Sequence, residues 1–216
     1  MPDYESLRIH VETLLCRDWN LPGIEARFQN LLDQGIVKKA LSKEAIVFQK
    51  QEILDRVQRR GEEYCYLTRN CAKGSATALL EEFGLGNMEI IKALSPFPGL
   101  GMTGEICGPV SGGLIALGLY FSGEDISDYH DVRSYPAARK YLRRFKDTFG
   151  SLFCPDIQEA LLGKYYDPMA SPQNLEDFNQ ARAREKCPVA PGLGARMAAE
   201  IIIESMEKEI NHKDSI

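Results

Sequence analysis

The sequence predicts an all-α protein: a single helical domain with an N-terminal helical extension. Three observations lead there. Apolar residues recur at three- and four-residue intervals along nearly the whole chain. Residues that cap or break helices bound those stretches. No segment of several residues alternates strictly between apolar and polar, so no sheet is expected. With 216 residues, 44% of them hydrophobic, the chain can fill one substantial core.

Taken in order, Tyr4 to Cys16 carries a stripe of Leu7, Val11, Leu14 and Leu15. Asn20–Leu21–Pro22–Gly23 reads as a break. Ile24 to Gln34 resumes with Ile24, Phe28, Leu31 and Leu32, and Gly35 is a C-cap. Ser42–Lys43–Glu44–Ala45 starts another helix. A longer one is expected from Lys50 to Leu67, with Ile53, Leu54, Val57 and Tyr64 inward. Asn70 caps a helix from Cys71 to Phe83, which Gly84 ends. A Pro/Gly-rich stretch, Ser95 to Gly104, leads to a small-residue helix from Pro109 to Phe121. Tyr135–Pro136 opens a helix to Phe149, and Pro155 opens a short one to Leu162. Ser171–Pro172 opens one to Lys186, and the last runs from Gly194 to Glu209. Residues 1–49 hold one cysteine and no motif, and read as the extension; residues 50–216 form a four-cysteine domain.

The net charge is −5, which argues against a nucleic-acid partner, since such proteins carry a basic face. The densest basic segment, Arg139 to Lys146, interleaves its charges with apolar residues at helical spacing and reads as a solvated helix face. Met1 to Arg8 lacks the basic start and apolar run of a secretory leader. The longest apolar run, Leu114 to Phe121, falls far short of the roughly 20 residues of a membrane helix, so no membrane association is expected. A cytoplasmic location follows, where thiols stay reduced and a set of cysteines suggests metal or redox work.

Six cysteines are present: Cys16, Cys65, Cys71, Cys107, Cys154 and Cys187. None forms a C-x-x-C pair, so the usual zinc-ribbon and thioredoxin signals are absent, as is the C-x-x-C-H motif of covalent haem. His10, His130 and His212 make no ligand pair. Cys71, Cys107 and Cys154 sit at or just before helix starts, and Cys187 sits in a Pro/Gly turn. Free N–H groups and partial positive charge at a helix start favour thiolate, the form that binds metal or attacks. Cys16 and Cys65 read as small core residues. Cys65 precedes Cys71 by six positions, about 240° apart on one continuous helix. Four cysteines therefore remain as candidate metal ligands: Cys71, Cys107, Cys154 and Cys187.

Gly99–Leu100–Gly101–Met102–Thr103–Gly104 matches G-x-G-x-x-G, but a poor strand precedes it and no Walker lysine follows. Nucleotide binding is not expected. The glycines read as letting the backbone fold tightly around Cys107, with Gly104, Gly108 and Gly112 as candidate cofactor contacts. Gly112, Gly113 and Gly118 would let their helix pack closely on a neighbour or cofactor. Glu105 is the nearest carboxylate to Cys107 in sequence, and Tyr165–Tyr166 would line a pocket or simply pack. No substrate or redox partner can be named.

Cys107–Gly108–Pro109–Val110–Ser111–Gly112 resembles the C-G-A-x-x-G motif of the C_GCAxxG_C_C family of redox-active proteins. Asn70–Cys71–Ala72 is similar to that family's Asn-Cys-Ala helix start. So are the glycine-rich run into the motif, the small-residue helix Leu114 to Tyr120, Phe149–Gly150 with Cys154, and the later Cys187. The likeness covers roughly residues 50 to 205. Pro109 stands where the motif has alanine, which suits the first turn of a helix. The resemblance implies four family cysteines, a redox role and a homodimer. Similarity to the cluster-carrying part of split-Soret cytochromes implies an iron–sulfur cluster of [2Fe–2S] type on those four residues. Thiol–disulfide chemistry and a structural zinc site stay open beside it.

Overall fold

The computed structural model describes residues 4–38 and 42–213. The first three residues of the segment read for a leader lie outside it. The helices are Tyr4–Leu15 (α1), Leu21–Gln34 (α2), Lys43–Phe48 (α3), Lys50–Thr68 (α4), Cys71–Phe83 (α5), Met88–Ala93 (α6) and Gly99–Met102 (α7). They continue with Gly108–Phe121 (α8), Ser134–Phe149 (α9), Cys154–Leu162 (α10), Pro172–Gln180 (α11), Ala183–Lys186 (α12) and Val189–Lys213 (α13). Among the described residues the only β feature is one antiparallel bridge, Ile106 to Phe153. The protein is all-α, as its periodicity predicts.

Four helices, α4, α5, α8 and α13, pack on one another, and α9 lies against α8 and α13. Small residues permit the close approach. A Cβ on Gly74 of α5 would come within 2.7 Å of the Gly61 carbonyl oxygen of α4, and one on Gly61 within 2.8 Å of the Pro191 carbonyl oxygen of α13. The wall of this core is apolar and wholly buried at Leu79, Leu80, Phe83, Leu117, Phe145, Ile202 and Ile203. Burying each such side chain is worth about 1.5–3 kcal/mol. Tyr141 is buried too, and its hydroxyl donates to the Pro109 carbonyl at 2.7 Å.

The extension joins the same core. Leu7, Val11, Leu14, Ile24 and Ile46 are buried in one apolar cluster with the helices above. Glu62 on α4, 1% exposed, receives Arg17 at 2.6 Å and His10 at 2.8 Å, which ties the first segment of the chain to α4. In the basic segment read as a solvated face, Arg139, Arg143 and Lys146 are exposed, while Lys140 and Arg144 pair with carboxylates of α13. Arg144 contacts Glu204 at 2.7 Å and Glu200 at 3.2 Å on α13, and Lys140 pairs with Glu204 as well.

The structure moves several expected boundaries. Leu21, Pro22 and Gly23 begin α2 instead of breaking the chain, because proline is tolerated in a first turn. Arg182, at φ 55°, divides the expected helix over 172–186 into α11 and α12. The last helix starts at Val189, five residues before the expected Gly194, again with its prolines in or near the first turn. The short helix α6, capped by Asn87, was not expected at all. No described helix is long and apolar enough to cross a membrane.

Candidate functional site

Each of the four candidate cysteines is placed by a local device. Asn70 caps α5: its side-chain oxygen accepts the Lys73 N–H at 2.9 Å, and its amide donates to the Ser95 carbonyl at 3.1 Å. Cys71 is therefore held at the first helical position. Cys107 is the N-cap residue of α8, followed by Gly108 and Pro109. Cys154 is the first residue of α10. Cys187 lies in the two-residue turn between α12 and α13, as its Pro/Gly surroundings suggested. Its N–H donates to the Ala183 carbonyl at 2.9 Å, and its own carbonyl accepts the Ala190 N–H at 3.0 Å, at the entry to α13.

Two of these segments are clamped together. The Cys107 N–H donates to the Leu152 carbonyl at 2.9 Å, and the Cys154 N–H donates to the Glu105 carbonyl at 2.8 Å. These bonds flank the Ile106–Phe153 bridge. Sequence reasoning had no signal for it, because the two strands of the bridge are 47 positions apart. Glu105 thus serves the site through its backbone, and its carboxylate is not among the groups lining the cavity described next.

Cys71, Cys107, Cys154 and Cys187 all line one cavity of about 210 Å³. Cys65 lines it as well. The expectation that Cys65 and Cys71 point to different sides fails for a clear reason. It assumed one continuous helix, but Arg69, at φ 53°, ends α4, and Asn70 restarts the chain in a new direction. The cap at Asn70 was itself the available signal. Cys16 is exposed and away from the cavity. All six cysteines are free thiols.

The expected glycines divide. Gly104, at φ 84°, lines the cavity, and a Cβ there would crowd the Tyr165 hydroxyl at 3.2 Å. Gly108 and Gly112 instead let α8 approach α5: a Cβ on Gly108 would come within 2.7 Å of the Ala72 nitrogen, and one on Gly112 within 2.6 Å of the Ala72 oxygen. Gly118 meets nothing within 4 Å, so the close packing expected there is absent. Tyr165 lines the cavity. The neighbouring Tyr166 donates its N–H to Gln158 at 3.0 Å.

The thiols are not equivalent. Cys107 donates its thiol hydrogen to Cys154, which lowers the Cys154 pKa to about 7 against opposing burial; the Gln158 amide, 3.5 Å from the Cys154 sulfur, lowers it further. The same contact, a second one to Cys71, and burial push the Cys107 thiol well up. Burial, with the neighbouring sulfurs Cys154 and Cys71, raises Cys187. Burial first, then Cys71 and Cys187, raises Cys65. The chamber therefore favours the thiolate at Cys154 and the neutral thiol at Cys65, Cys107 and Cys187. Among the described residues, no three His, Cys, Asp or Glu side chains gather at distances that would hold a single ion.

A family model described as "Putative redox-active protein (C_GCAxxG_C_C)" matches residues 69–201. The chain belongs to this family. The matched span begins just before Cys71 and ends after Cys187, so the C_GCAxxG_C_C region contains all four candidate cysteines and the helices that place them. Cys65 lies four residues before the match. A search of curated proteins and a search of solved structures each found no match.

Proposed function

We propose that this C_GCAxxG_C_C protein is an electron carrier holding an iron–sulfur cluster of [2Fe–2S] type on Cys71, Cys107, Cys154 and Cys187. The observation that supports it is the convergence of four thiols, each at or just before the start of a helix, on one largely apolar cavity. The helices α5, α8, α10 and α13 bring partial positive charge to the point where their thiolates and a cluster would carry negative charge. An all-thiolate donor set suits iron–sulfur clusters and zinc. A lone zinc needs its four sulfurs within about 2.3 Å of one ion. A two-iron core instead divides its thiolates between two metals, which suits sulfurs spread around a cavity. The cluster would supply one-electron transfer. The protein's own part is to bury the sulfurs, to offer the Gln158 amide to Cys154, and to exclude bulk water with apolar walls such as Ile157 and Leu161.

Absorbance of anaerobically purified protein, with iron and sulfide counted per chain, tests the proposal. Colourless protein that takes up no iron after reconstitution would sink it.

A second reading is favoured by one arrangement, Cys107 and Cys154 held side by side on the backbone clamp and facing one cavity. In metal-free protein this pair is arranged for thiol–disulfide exchange with an external disulfide. Its mark is a reversible loss of two thiols on treatment with oxidised glutathione, abolished by Cys107→Ser.

A further inference from the structure

The cavity has a second character beyond its sulfurs. Its floor is buried and apolar, formed by Ile157, Leu161 and Ala190 beside Cys65 and Cys107. Its rim is more open and carries Arg69, Met102, Tyr165, Leu175, Phe178 and Arg184. The only charged side chains among the described lining residues are the two arginines, and no aspartate or glutamate faces them there. Arg69 and Arg184 make no hydrogen bond or ion pair among the described residues. Arg17, Arg27, Arg56, Arg60, Arg144 and Arg196 each pair with a carboxylate, and Arg8, Arg59, Arg139 and Arg143, unpaired among the described residues, lie outside the cavity lining, so Arg69 and Arg184 are set apart by being both unpaired and in the lining. Arg69 is also held at φ 53° and Met102 at φ 62°, strained conformations for a side-chain-bearing residue that gather at binding sites.

An apolar pocket with a few convergent polar groups is the usual form of a small-molecule site. Arg69 and Arg184, the two cationic residues that line it, favour an anion, and a guanidinium fork matches a carboxylate. We propose that the rim binds a small organic carboxylate with an aromatic or branched apolar body. The carboxylate is held by Arg69 and Arg184, and the body packs at the outer end of the cavity against Met102 and Phe178, leaving the space beside the four cysteines to the cluster. The concave, apolar shape fits such a molecule better than the flat charged patch that an acidic protein would require. This deepens the redox reading by giving its site a ligand class. It rests on that reading for its role, but not for the binding itself.

Benzoate and its neutral isostere benzamide serve as probes, titrated by calorimetry into metal-free reduced protein and into iron-reconstituted protein. Benzoate is expected to bind at least ten-fold more tightly than benzamide in the metal-free form. Arg69→Gln and Arg184→Gln should each reduce that preference, and together remove it, without changing the thermal midpoint. Arg139→Gln, an exposed arginine outside the cavity, should leave it intact. Absence of benzoate binding, equal binding of the two probes, a preference that survives the double variant, or an equal effect of Arg139→Gln would overturn the inference. Iron analysis separates the two readings. Protein that takes up iron but shows no preference overturns this inference alone. Protein that prefers benzoate but takes up no iron overturns the cluster proposal alone.

Discussion

Gly108 leaves room for the Cys71 sulfur: a methyl group on Gly108 would overlap it, and would also press to 2.7 Å from the Ala72 nitrogen. The motif glycine therefore acts on a cysteine in a different helix, 37 positions away. Gly108→Ala should force α5 and α8 apart where the thiols of Cys71 and Cys107 meet. Overpacking of this kind costs about 1–3 kcal/mol. Urea unfolding should show that loss while far-UV circular dichroism stays helical, and, if the proposed cluster is present, iron uptake on reconstitution should fall by more than half. Normal iron content with normal stability would contradict this account.

In metal-free, reduced protein Cys154 should react fastest of the six cysteines with iodoacetamide. Its thiolate is favoured above a pKa of about 7, so the rate should fall as pH drops through that value. Removing the thiol donor by Cys107→Ala should move the midpoint upward, toward that of an ordinary thiol. Gln158→Leu should move it the same way by a smaller step, since that contact is the weaker cause. Peptide mapping by mass spectrometry after short alkylation at several pH values reads both effects.

Asn70→Ala removes a cap from α5 and the tie to Ser95. A lost cap costs about 1 kcal/mol. Asn70 is buried, so the Lys73 N–H and Ser95 carbonyl lose a partner where water has poor access, and a total nearer 2 kcal/mol is expected. Asn70→Asp keeps the acceptor and should recover part of the loss at neutral pH. Thermal unfolding of the three proteins checks this.

Glu62→Ala should release the first segment of the chain. It deletes a buried carboxylate that holds both Arg17 and His10. Breaking a fully buried ion pair costs about 3–5 kcal/mol, but Arg17 and His10 are partly exposed and rehydrate, so about 2 kcal/mol is expected. Hydrogen exchange should quicken in α1 before it quickens in α5 or α8. Uniform exchange across all helices would show that the anchor is not local.

Much of the helical frame was legible because its signals are local. Asn70 and Gly84 bound α5, and Gly150 follows α9, as their residue types dictate. The four cysteines were chosen from their immediate neighbours, and all four meet in one cavity. What escaped was decided by turns whose direction the sequence does not record. Arg69 adopts a left-handed conformation that its side chain does not favour, and only that turn brings Cys65 to the cavity. Pro191 and Gly192 look like a continuation of the Cys187–Pro188 turn, yet they lie within the first turn of α13. The partners of Arg144 lie 56 and 60 positions away, beyond the reach of any local pattern. The clamp between Ile106 and Phe153 is equally nonlocal.

The entry of α13 beside Cys187 has a consequence for synthesis. A ribosome delivers the chain from its N-terminus, so Cys65, Cys71, Cys107 and Cys154 emerge before the helix that closes their chamber exists. Until α13 docks on α4, α5 and α8, those sulfurs lack both their last neighbour and much of the wall that hides them. The nascent protein therefore passes through an interval of exposed, oxidisable thiols. Its yield in a living cell should depend on how reducing the surroundings are during that interval, even where the finished fold is indifferent to them.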